Sequence, residues 1–401
     1  MPSAAACEAV VAMAGLGGVS WRQDYFALMK TKRYAFLCLL LLGACAQSSV
    51  NDGGGGASGA GGAAPGETGG SGGTQSQSGG SGGVAGVAGG AGGSVSGGAG
   101  GILTGGAGGS AGANVPVVPV AAGNTYKFTF DGFVFVVDAS LGGRVTEFSL
   151  NGKNVLSGPS ANAENFGSTF WPSPQSVWNW PPPAEIDPGA YTARIDAGTL
   201  ILEGKPSSRV NLAVTKRIAI DRAAQSVVMT YEMKNTGTAA ATWAPWEITR
   251  VTSGGMTFFA LGAGGTAAIG TWVPTPLQEA GMWRWYDDAA LQTNNNQGRK
   301  TFADGTGWIA HVARNERLLL LKTFDDVAKD AQAKDEAELE IFVDGARKYI
   351  EVENQGTALP IGAGSTRTWT VRWLLRALPA DAPLTVGSTP VINATKALLA
   401  K

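Results

Sequence analysis

Cysteine and histidine are nearly missing from this sequence, with three cysteines and one histidine in 401 residues. Cys7, Cys38 and Cys45 all fall close to the start. The rest of the chain therefore has no disulfide framework, no thiolate nucleophile and no cysteine metal site. A single histidine, His311, excludes any chemistry that needs two. Net charge is scarce too: 30 Lys and Arg against 31 Asp and Glu leave −1. No basic stripe marks a nucleic acid as partner. No segment keeps a helical period except the charged "DDVAKDAQAKDEAE", which reads as a surface loop or a single helical turn. "GAGG" at 262–265 lacks the strand, helix and following lysine of a phosphate loop. The serines lack a Ser/His/Asp constellation, and the acidic run 325–335 lacks calcium-loop spacing. Neither a metal nor a cofactor is expected.

Glycine, by contrast, is plentiful and unevenly placed. Of 60 glycines, 30 lie between residues 51 and 114. That segment has almost no charge and little apolar bulk, so it cannot bury enough surface to offset the entropy of ordering. It reads as a flexible tether over 45–122, with an r.m.s. span of roughly 45–50 Å. Ahead of it, "MKTKRYAFLCLLLLGAC" from Met29 has the charged start and short apolar run of a secretory signal, too short for a permanent span. Its end, Leu42-Gly43-Ala44-Cys45, resembles the lipobox of bacterial lipoproteins. The resemblance implies a signal over 29–44 and a lipid on Cys45 that holds the chain to a membrane. Ala46 stands where some lipoproteins carry an aspartate that keeps them in the inner membrane. The implied place is thus the cell envelope, with the outer membrane favoured. Residues 1–28 carry no signal-like pattern and read as a misassigned start.

From 123 to 378 strand signals dominate. "YKFTFDGFVFVVDAS" alternates; "GRVTEFSLNGKNVL" turns at Asn151-Gly152, a hairpin dipeptide. "RVNLAVTKRIAIDRAAQSVVMTYEMKNTG" turns near Asp221-Arg222, "GWIAHVARNERLLLLKTF" at Arg314-Asn315-Glu316, and "AELEIFVDGARKYIEVENQG" at Asp344-Gly345. Successive hairpins without interleaved helices predict an all-β fold, a large antiparallel β-sandwich. Residues 379–401 read as a peripheral tail.

Several of these segments carry a resemblance. "GGRVTEFSLNGKNVL", "VVMTYEMKNTGTAAATWAPWEITRV" and "KYIEVENQGTALPIGAGSTRTWTVRWLL" resemble the opening hairpin, the long strand pair and the final hairpin of galactose-mutarotase-like proteins. The tract 167–183 resembles an uncharacterised bacterial branch, the family of unknown function numbered 4380. The resemblance implies a sugar ligand and makes Glu353 of "VENQ" the counterpart of the glutamate base in the terminal Glu-x-Gln step. The histidines of that family have no counterpart: its Asn-His-x-Tyr-Phe-Asn step is replaced by Pro245-Trp246-Glu247-Ile248-Thr249-Arg250.

The residues themselves suggest carbohydrate binding. "GSTFWPSPQSVWNWPPP" reads as a proline-stiffened loop presenting Trp171, Trp178 and Trp180, with Gln175 as a polar neighbour. Sugars offer flat C–H faces to indoles and polar edges to directional partners. The same indoles would equally plug an open end of the sandwich. Trp283 and Trp285 in "GMWRWYDD" form a second aromatic stretch with the same two readings. Trp246, Glu247 and Arg250 combine an indole, a carboxylate and a guanidinium within five residues, the groups that stack on and hydrogen-bond to sugars. A local ion pair on a strand accounts for them as well. His311 reads as structural, and Lys322, ending "LLLLK", as reaching solvent. Three roles stay open: sugar binding, an epimerase using Glu353 as base, and a protein-docking module.

Overall fold

The computed structural model describes residues 115–291 and 296–401. The signal-like stretch, Cys45 and the tether as far as residue 114 lie outside them. Period-two alternation becomes strand where the sequence marks it. Phe133–Asp138 buries Phe133, Phe135 and Val137 while the residues between them are half-buried. Leu212–Asp221 does the same from Leu212 to Ile218. In the Asn151-Gly152 turn both residues take left-handed φ values, 51° and 77°, as a two-residue hairpin of this hand requires.

The result is a β-sandwich of two large antiparallel sheets. The first runs Val120–Ala122, Thr125–Phe130, Phe133–Asp138, Arg144–Leu150, Ser168–Ser173, Ala241–Thr252, Tyr349–Gln355, Leu339–Val343, Arg299–Ala303, Thr266–Ala267. The second runs Leu277–Ala280, Trp283–Asp287, Met256–Ala260, Trp308–Ala313, Leu318–Thr323, Thr366–Ala377, Ser226–Asn235, Leu212–Asp221, Thr199–Glu203, Thr192–Asp196. Between them Phe135 and Phe148 of the first sheet meet Trp373 of the second at 6.0 and 5.9 Å between ring centroids. Each such pair adds about 0.5–1.5 kcal/mol beyond the area it buries.

Segment 379–401 forms a helix, Thr389–Leu399, begun by a proline in its first turn. Its Val391 and Leu398 pack with Phe258, Trp285, Leu319 and Leu321. The alternate residues of those strands, Tyr286, Leu318 and Leu320, belong to the core between the sheets. The helix therefore covers the outer face of the second sheet.

The tract 167–183 is a loop only in part. Ser168–Ser173 is a strand buried along its whole length, paired with Ala241–Thr252 so that Pro172 faces Pro245. The prolines are tolerated because of where their carbonyls point. Pro245 accepts from the Gly356 N–H at 2.9 Å, and Pro172 accepts from the Trp178 indole at 2.6 Å. Both carbonyls, and so both missing N–H positions, aim away from the shared ladder. No bond between the two strands is lost.

Candidate functional site

Three neighbouring strands of the first sheet are buried on both faces: Ser168–Ser173, Ala241–Thr252 over most of its length, and Tyr349–Gln355. Their inner face meets the second sheet. Their outer face lies under the loops 174–191 and 324–338. Directly opposed residues on adjacent strands share a face, so the register sorts the candidate residues into two groups. Trp246 opposes Gln355, Ile248 opposes Glu353, and Arg250 opposes Glu351. On the other side Trp171 opposes Trp246, and further along Glu340 opposes Glu353. All of these look outward. Glu247, one residue off, looks inward.

Glu247 is thus separated from Arg250 and Glu353 by the thickness of the sheet. It is fully buried between the sheets, with Lys322 Nζ 2.8 Å from one carboxylate oxygen. Tyr231 donates to the other oxygen at 2.6 Å, and the Trp373 indole donates at 3.0 Å to the oxygen that faces Lys322. Lys322 does not reach solvent. It is fully buried, and its remaining donors go to Thr249 Oγ1 at 2.8 Å and the Val352 carbonyl at 3.2 Å. Burial lowers its pKa, while the Glu247 charge raises it. Every polar atom of this ion pair has a partner. Asn354, opposite Glu247 on the inner face, has both its side-chain polar atoms unpartnered.

The outer face is chemically richer. Lys300 Nζ lies 2.6 Å from Glu340 Oε2 and 3.2 Å from Glu353 Oε2. It also sits 5.0 Å from the Trp246 ring centroid. Glu340 Oε1 accepts from Gln355 Nε2 at 2.9 Å and from the Ala337 N–H at 3.1 Å. Arg250 pairs with Glu351 at 2.8 Å, donates to Thr169 Oγ1 at 3.2 Å, and lies 5.3 Å from the Trp171 ring. Burial pushes the Glu353 and Glu340 carboxyls above the ordinary carboxylate range. The Lys300 ammonium opposes this, and their mutual repulsion adds to it. Burial alone would lower Lys300, but the charges of Glu340, Glu353 and Glu336 outweigh it. One ammonium facing two carboxyls in a dry site is neutral when one carboxyl keeps its proton.

Besides Ser173 Oγ, and Glu340 Oε2 which lies against Lys300, four polar atoms on this face have no hydrogen-bond partner: Trp246 Nε1, Arg250 Nη2, Glu353 Oε1 and Gln355 Oε1. Two are donors and two are acceptors. Leaving a buried polar atom unsatisfied costs about 1–3 kcal/mol, and native structures hold few of them. These four set donors and acceptors beside indoles and include charged groups, whereas the unpartnered atoms of Asn354, Trp243 and Trp369 on the inner face are neutral.

The indoles of the aromatic tract sit at its edge. Trp171 packs edge-on to Trp246 at 5.4 Å, and both are buried. Trp178 is buried as well, with its indole tied to Pro172. Trp180, 44% exposed, reaches Trp171 at 5.8 Å from the solvent side. Gln175, on the same loop, donates its backbone N–H to Glu336 Oε1 at 3.0 Å and so joins the two covering loops. The loop is anchored below by Asp187. Asp187 accepts from the Trp171 indole at 2.9 Å and from Arg144 at 2.8 Å.

Trp283 and Trp285 are not part of this site. They lie on the second sheet, stacked on Phe258 at 5.6 and 4.0 Å, and Trp285 is fully buried in the cluster beneath the helix. His311 is buried between the sheets, with Nδ1 2.9 Å from Thr257 Oγ1. Burial pushes its pKa down to about 3, which keeps the ring neutral. A side chain at Gly255 would collide with this ring. Among the described residues no group of three or more His, Cys, Asp or Glu is placed to hold a metal ion.

Lys300 and Glu340 are site residues that the sequence reading passed over. Lys300 lies in a polar run, Arg299-Lys300-Thr301, and Glu340 is a lone polar residue in an apolar strand, so neither pattern marks a site. No family model matches the chain, and no curated protein matches it. Among solved structures it is similar to the Slr1438 protein from Synechocystis, with 13% identity and a TM-score of 0.45 over 66% of this chain and 98% of that one. It is also similar to a galactose mutarotase-like protein from Lactobacillus casei, with 7% identity and a TM-score of 0.46 over 63% and 100%. A galactose mutarotase-like protein from Clostridium acetobutylicum gives 10% identity and a TM-score of 0.40 over 63% and 95%.

Proposed function

We propose that this protein binds carbohydrate on the outer face of its first sheet. The observation that carries the reading is the set of four unpartnered buried atoms beside Trp171 and Trp246. A sugar hydroxyl both donates and accepts, so vicinal hydroxyls satisfy Arg250 and Trp246 on one side and Glu353 and Gln355 on the other. The C–H face of the same ring suits an indole wall. Entry requires the covering loops to part where Gln175 meets Glu336. The mutarotase-like reading rests on the hairpin motifs and on Glu353 standing in the terminal Glu-x-Gln step. The narrower placement in the family of unknown function 4380 rests on the tract 167–183. The signal-like stretch, the lipobox at Cys45 and the glycine tether support a lipid-anchored envelope protein whose sugar-binding domain reaches away from the membrane.

The test is a titration of the full chain with a panel of sugars, read by tryptophan emission. A saturable change with one sugar class is expected, weakened at least about tenfold in Glu353→Gln with the thermal midpoint retained. No response to any sugar overturns the proposal. A second reading follows from the 3.2 Å contact between Lys300 and Glu353, since a base beside a cationic donor suits anomeric ring opening. Glu353 takes the anomeric hydroxyl proton, Lys300 gives one to the ring oxygen, and the bond between that oxygen and the anomeric carbon breaks. Polarimetry showing anomer exchange faster than in buffer, and lost in Glu353→Gln, is the signature of this activity. An unaccelerated rate removes it and leaves binding.

A further inference from the structure

Trp180 is an unusual residue to leave in solvent. It is 44% exposed, and its neighbour Val177 is 57% exposed. The loop that carries them is nevertheless held in one shape. Arg209 donates to three carbonyl oxygens in a row of four residues: Trp178, Asn179 at 3.1 Å and Pro181 at 2.7 Å. Asn179 takes the left-handed φ of 53° that turns the chain there. Trp178 is buried as the loop's anchor. A loop fastened at both sides of an exposed indole keeps an apolar plane in water at a fixed angle, which is the preorganisation that lowers the entropy cost of a stacking contact.

The indoles also form a path. Trp246 lies beside the unpartnered polar atoms, Trp171 follows at 5.4 Å, and Trp180 follows Trp171 at 5.8 Å, each edge-on to the last. A single sugar ring satisfying the buried atoms would meet Trp246 and Trp171. It would leave Trp180 unused. We infer that the ligand is the end of an oligosaccharide chain rather than a free monosaccharide, with Trp180 as the stacking surface for the second sugar residue. The inference rests on the carbohydrate reading above and names the ligand class of the same site.

The test compares D-glucose, D-galactose and D-mannose with cellotriose, galactotriose and mannotriose, titrated calorimetrically against the full chain and its Trp180→Ala variant. In the wild type the trisaccharide of the bound class is expected to bind about tenfold more tightly than its monosaccharide. In Trp180→Ala that ratio is expected to collapse towards one. Equal affinities in the wild type, or a ratio that survives in Trp180→Ala, overturn the inference while leaving the sugar site standing. Heat from none of the six sugars overturns the site itself and the inference with it.

Discussion

Two buried ion clusters lie on opposite faces of the same sheet, and they are built differently. On the inner face Glu247, Lys322, Tyr231 and Trp373 close upon one another, and every charged atom has its partner. On the outer face Lys300, Glu340, Glu353 and Arg250 are equally dry, yet Glu353 Oε1 and Arg250 Nη2 are left with nothing. A closed network ties the two sheets together and fixes their pairing. An open one spends stability on atoms that wait for something else. Satisfaction of the charged atoms, rather than burial or net charge, separates the closed cluster from the one proposed to bind sugar.

The contrast is broken most sharply at Glu247. Glu247→Ala strands the Lys322 charge between the sheets and should cost about 3–5 kcal/mol in denaturant unfolding. The double variant Glu247→Leu with Lys322→Met should recover most of that loss, because it removes both charges together.

His311 offers an intermediate case, buried with one ring nitrogen bonded and the other not. Its folded pKa, pushed down to about 3, lies below the ordinary value of 6.5, so between these values the unfolded chain binds the extra proton. Its contribution is therefore present above pH 6.5 and is lost as pH falls towards 3. The slope approaches about 1.4 kcal/mol per pH unit, the value for one proton. Unfolding curves across this window should be flatter by that one proton in His311→Gln.

The smallest effect sharpens the comparison from the other side. Glu353→Gln should change stability by less than about 1 kcal/mol, since the carboxylate it removes is only half satisfied in the folded state. A loss as large as that of Glu247→Ala would erase the distinction between the two faces.

Much of the architecture was legible in advance because hairpins announce themselves locally. Asn151-Gly152 turns where it should, and the alternation in Phe133–Asp138 needs only the pleat to become a buried face. The site was legible in fragments. Glu353, Trp246 and Arg250 stand together, and Glu351 shares their face, as the two-residue period requires. The same period already places Glu247 and Arg250, three residues apart, on opposite faces of a strand, although closeness in sequence groups them. Ser168–Ser173 was hidden by Pro172, which is harmless because it faces Pro245, on a strand more than seventy residues away, where neither residue bonds across the ladder. Lys300 and Glu340 were hidden for another reason. A polar residue on a strand reads the same whether water or a distant loop covers it.

The helix Thr389–Leu399 bears on how the molecule is handled as well as on how it folds. Strand signals end near Leu378, and a truncation there would look like a clean domain boundary. It would instead leave Phe258, Trp285, Leu319 and Leu321 without their cover, a contiguous greasy surface on a broad sheet. Such a surface favours self-association over a soluble monomer. The helix thus acts as a built-in solubility cap, and any shortened version of the protein has to keep it.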